Sequence, residues 1–96
     1  MRELANKARG EVLLDIDGRA QRLCVTLGAL AELEAAFDVA SLAELGERLA
    51  QLTASDLITV VAALSGASTA EIAHAAIEPK AAANAVAEAF RAAFDD

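Results

Sequence analysis

Cysteine, tryptophan, tyrosine, basic side chains and long apolar runs are what this 96-residue sequence is short of, and each shortage closes off a class of protein. Cys24 is the single cysteine, so no internal disulfide can form and a disulfide-stapled secreted fold is excluded. With no Trp or Tyr, the aromatic side chains are Phe37, Phe90 and Phe94. No apolar stretch approaches the roughly 20 residues that span a bilayer. The longest apolar block, residues 57–64, is short and lies between Asp56 and Ser65-Gly66. Residues 1–10 lack the apolar core of a signal peptide, so a cytoplasmic location is expected. Eight Lys and Arg stand against fifteen Asp and Glu, a net charge of −7. That charge argues against nucleic acid, where affinity comes mostly from cations on phosphates, and against an anionic membrane surface.

What is present is material for helices. Hydrophobic residues make up 56% of the chain, but many are alanine, which gains little on burial and has the best helix propensity. A chain of this length forms one domain and buries roughly two thirds of its unfolded surface. The charge is uneven. Residues 1–26 balance Arg2, Lys7, Arg9, Arg19 and Arg22 against Glu3, Glu11, Asp15 and Asp17, and the remaining acidity belongs to the helical part.

Residues 1–10 read as a flexible lead-in and residues 11–96 as one α+β domain, mostly α. An N-terminal β-hairpin over 11–25 is packed on a bundle of four to five short helices. Asp17-Gly18 separates two strand-like runs and is a hairpin signal. A turn shifted one residue on, at Gly18-Arg19, would place Leu14 opposite Leu23 and Val12 opposite Val25. It would stack Val12, Leu14, Ile16, Leu23 and Val25 on one face. A buried face selects register strongly, so this register is the one expected. Helices are expected over about 27–37, 41–52, 55–65, 69–77 and 79–94. Thr26 and Thr53 (or Ser55) are N-cap candidates, Ser41-x-x-Glu44 and Ser68-x-x-Glu71 have the capping-box pattern, and Pro79 suits a first helical position. The second helix is expected to bury a leucine stripe at 42, 45, 49 and 52. The third is the most apolar and is expected at the centre. The last places Ala83, Val86, Ala87, Phe90 and Phe94 on one face.

Catalytic signatures are missing. There is no Gly-rich phosphate loop and no metal-ligand spacing, so no cofactor or metal is expected. Asp15-Ile16-Asp17-Gly18 opens like a calcium loop but lacks the later ligands. His74 has no cysteine near it in sequence, and Cys24 has no adjacent base. Glu32 and Glu34 point to different faces, and Glu44 is better spent on capping. What remains is an apolar helix face. Val86, Phe90 and Phe94 are the candidate protein-binding residues, with core closure as the plainer role for the two Phe.

Residues 8–34 carry a further pattern: Ala8-Arg9-Gly10-Glu11, then Ile16-Asp17-Gly18, then Leu23 through Thr26-Leu27-Gly28-Ala29-Leu30-Ala31-Glu32-Leu33-Glu34. This resembles the small tail assembly chaperone of bacterial gene transfer agents and related long-tailed phages. The match extends more loosely through Ser41–Leu64. The resemblance implies a non-enzymatic chaperone that binds the helical tape measure protein, helps recruit tail tube subunits and assists tail assembly. The alternative is a structural tail component retained in the finished particle, and a third reading is a regulatory binding domain. The leucine-rich surface also permits a homo-oligomer.

Overall fold

A computed structural model describes residues 11–94. The lead-in expected at residues 1–10 lies outside the described residues. The elements are β1 (Glu11–Ile16), β2 (Arg19–Cys24), α1 (Leu27–Phe37), α2 (Leu42–Leu49), α3 (Ala54–Ser65), α4 (Thr69–His74) and α5 (Pro79–Phe94). This is an antiparallel hairpin followed by five helices, an α+β fold that is mostly α.

The hairpin register differs from the one expected. Ile16 pairs with Arg19, Leu14 with Gln21 and Val12 with Leu23, so the turn is Asp17-Gly18. Both turn residues have positive φ, 56° at Asp17 and 80° at Gly18. That is the type I′ signature, whose twist matches the flanking strands. A second force fixes it from far along the chain. The Asp17 N–H donates to the Ala76 carbonyl at 2.9 Å, and the Asp17 carboxylate accepts from the Ala76 N–H at 2.6 Å. The cost is an incomplete apolar face on β2. Leu23 is fully buried, but Gln21 and Arg19, which share its face, are exposed. β1 supplies the rest with Val12, Leu14 and Ile16.

α3 is central. It packs on α1, α4, α5 and β2, while α5 lies chiefly along β1. Val60, Val61, Ala62 and Leu64 of α3 are buried with Leu30 and Leu33 of α1 and Ala82, Ala85, Val86 and Ala89 of α5. Local hydrogen bonds start each helix. Thr26 Oγ1 accepts from Ala29 N–H, and Ser41 Oγ from Glu44 N–H. Capping boxes open α3 (Thr53 and Asp56) and α4 (Ser68 and Glu71). The Glu78 carboxylate accepts from Lys80 and Ala81 N–H at the start of α5. Glu44 departs from the expected box: it reaches back to Ala40 N–H, not to Ser41.

Two helices stop before their expected ends. α2 closes at Leu49, not residue 52, because Thr53 must be extended (ψ 172°) to cap α3, which leaves Leu52 in the connection. α4 closes at His74, not residue 77. Ala75 is already extended, and Ala76 is committed to the hairpin turn. Pro79 then disfavours helical backbone at Glu78.

α2 is held from one side. Arg48 donates to the Asp56 carboxylate at 2.9 Å and stacks over the Phe37 ring at 4.7 Å. The Arg48 hydrogen bond, followed by that of the Thr53 N–H, holds the Asp56 carboxyl below its ordinary value of 3.8. Among the described residues no helix is long and apolar enough to cross a membrane.

Candidate protein-docking groove

The closely packed element pairs do not include α2 with α5. The space between these two helices is an open groove of about 970 Å³. One wall is α2 with Leu42, Leu45, Gly46 and Leu49, and the other is α5 with Ala83, Val86, Phe90 and Phe94. Leu30 of α1 and Leu57 of α3 complete it. None of its lining residues is charged. Such a lining cannot polarise a substrate or move a proton, but it can bury an apolar surface.

All three expected binding residues are brought to this groove, in different roles. Val86 is buried and belongs to the core as much as to the groove wall. Phe90 is half-buried. Phe94 is 58% exposed and stacks on Phe90, with ring centroids 6.2 Å apart and planes 8° apart. The pair forms a ridge at the end of α5. The broad face expected on α5 is thus split: Ala82, Ala85, Val86 and Ala89 turn inward, while Ala83, Ala87 and Phe94 are exposed.

The facing wall was read from the sequence as core. Of the leucine stripe, only Leu45 is buried; Leu42 is 53% exposed, and Leu49 and Leu52 are half-buried. Gly46 stands in the α2 wall, and a Cβ built there meets nothing within 4 Å. A glycine inside a helix where alanine would fit was the signal in the sequence that this wall is open.

The other candidate residues lie elsewhere. Cys24 is half-buried on β2 and His74 is exposed on α4. Among the described residues, no group of three or more His, Cys, Asp or Glu could hold a metal ion. Glu71 is explained by its capping box: the Glu71 N–H donates to Ser68 Oγ, and the Ser68 N–H, followed by the Ser68 side chain, holds the Glu71 carboxyl below the ordinary 4.5.

Residues 9–95 match the model of a family described as "Phage tail tube protein, GTA-gp10". No curated protein and no solved structure matches the chain. The match supports the expected link to gene transfer agents and phage tails. It overturns the expected chaperone on a tape measure protein, because the family is described by a structural part of the tail. A chaperone and a structural subunit both work through apolar faces without catalytic residues, so the side chains alone could not separate them.

Proposed function

Because the chain belongs to the phage tail tube protein family, GTA-gp10, we propose that it is a structural component of a phage-like tail, retained in the finished particle. The observation that carries this reading is the family match, which runs across the hairpin and all five helices. It acts without catalysis, and its partners are other tail proteins met during assembly in the bacterial cytoplasm. The fold is consistent with such a role. It offers a capped helical body with an open apolar groove, and its acidic surface keeps the free subunit soluble.

Mass spectrometry of purified particles tests the proposal. A retained component is expected at a copy number comparable to that of the other tail structural proteins. Particles that infect or transfer DNA normally but lack the chain would overturn it.

A further inference from the structure

The groove walls carry charge in a pattern that the apolar lining hides. A helix turns about 100° per residue, so neighbouring positions on each wall can be placed. On α5, Lys80, Asn84 and Arg91 lie beside the lining stripe of Ala83, Ala87 and Phe94, on the side away from the buried Ala82, Ala85 and Ala89, and Glu88 lies further round. On α2, Glu47 falls beside Ala43 and Ala50, away from the buried Leu45, and Glu44 lies further round. All of these charged residues are exposed. Arg48, the one cation of α2, is turned away to Asp56 and Phe37. The groove therefore has a basic lip on α5 and an acidic lip on α2. Asp95 and Asp96 lie outside the described residues.

We propose that this groove closes on a second copy of the same chain, face to face, with α5 of each copy over α2 of the other. Opposite lips on one face make that face self-complementary under a two-fold axis along the groove. The axis carries each basic lip onto the partner's acidic lip, and it carries the Phe90–Phe94 ridge of each copy onto the other's leucine wall. A two-fold axis across the groove would set basic on basic and acidic on acidic, and is disfavoured. The chain's net charge of −7 selects against self-contact over most of its surface. An uncharged lining between lips of opposite sign is where two acidic copies can meet with the least of that penalty. Gly46, with open space where a side chain would be, lets the partner helix approach α2 closely. This inference rests on the groove itself and not on the tail reading.

Sedimentation of the full chain tests it over about 1 µM to 1 mM. The expected result is a monomer–dimer equilibrium of the 9.9 kDa chain. Phe94→Glu and Leu42→Glu change exposed positions and spare the core. Each should weaken the dimer at least about a hundredfold by seating a carboxylate in an apolar contact. Gly46→Leu sets a side chain into the groove from a position whose Cβ meets only open space, and should weaken the dimer while leaving the monomer at least as heat-stable. Arg91→Glu or Glu47→Lys alone should weaken it by about threefold to tenfold, and the two together should recover most of the loss. A chain that stays monomeric throughout, or a dimer indifferent to Phe94→Glu, Leu42→Glu and Gly46→Leu, would overturn the proposal. So would a groove that fills only when a different tail protein is added. Failure of the charge pair to recover would overturn the two-fold arrangement. Since the readout is association of the isolated chain, it is independent of whether the protein is found in particles.

Discussion

Asp17 performs two separable tasks, and substituting it in three ways measures each. Its backbone sits at φ 56°, where most residues are strained, and its carboxylate accepts from the Ala76 N–H at 2.6 Å. Asp17→Asn keeps an amide oxygen as acceptor and a side chain that tolerates left-handed backbone; it should cost about 0.5 kcal/mol through lost charge assistance. Asp17→Gly keeps the backbone but loses the acceptor, which is worth about 1 kcal/mol at an exposed site. Asp17→Ala loses the acceptor and adds about 1 kcal/mol of left-handed strain, for a total near 2 kcal/mol. The backbone bond from the Asp17 N–H to the Ala76 carbonyl survives in all three. Urea unfolding followed by circular dichroism gives the three values directly. For a domain of this size each kcal/mol moves Tm by about 4–8 °C, so the alanine variant should melt roughly 10 °C lower. The order Asn, Gly, Ala is the result that matters. If alanine proved no worse than glycine, Asp17 would not occupy left-handed backbone, and a turn at Gly18-Arg19 would return. If glycine matched the wild type, the bond to Ala76 would contribute nothing.

Three further outcomes follow from the packing and the caps. The Asp56 and Glu71 carboxyls are both held below their ordinary values, so their stabilisation is present above about 3.8 and 4.5 and is lost as pH falls through the lowered values. Urea midpoints should therefore drop on acidification towards about pH 3, and Asp56→Asn should flatten part of that slope. Leu23→Ala, at a position with no exposure, should cost about 2–5 kcal/mol in the same assay. Leu13→Ala, on the opposite face of the hairpin, should stay within about 0.5 kcal/mol. Gly46→Ala should stabilise the chain by about 0.5–1 kcal/mol, because the new methyl meets only open space and alanine is the better helix former.

The features legible in the sequence were those decided within a few residues. A hairpin ahead of several helices could be read from one Asp-Gly turn, from Thr26, Ser41, Thr53 and Ser68 as caps, and from apolar spacing. What distance decides was not legible. The register is set at Asp17 partly by Ala76, 59 positions away, and an argument from stacking the apolar side chains of two strands had no access to that contact. The ends of α2 and α4 escaped for a related reason: Leu52 and Ala76 continue a helical pattern but are claimed by the cap of α3 and by the turn. On the groove, Val86, Phe90 and Phe94 could be singled out because aromatics are scarce. The leucines of α2 looked like core because their spacing says which residues share a face, not whether that face is covered.

The alanines that made the sequence look generic account for both faces of α5. Inward, Ala82, Ala85 and Ala89 are buried and let α5 lie close along β1 and α3. Larger side chains there would push the helix off the hairpin, and a two-stranded sheet has little stability to spare without it. Outward, Ala83 and Ala87 keep the α5 wall shallow, so Phe90 and Phe94 stand above it and the gap to α2 stays open. Leucines at those two positions would reach towards Leu42 and Leu49 and close the groove from within. The chain would then gain core and lose this apolar groove. α2 completes the arrangement because its polar anchor, Arg48, points to Asp56 and Phe37 and leaves the other side of the helix to leucine, alanine and Gly46. The groove thus follows from small residues on one wall and a one-sided anchor on the other, and each can be changed without touching the packed centre at Leu23, Leu33 and Val60.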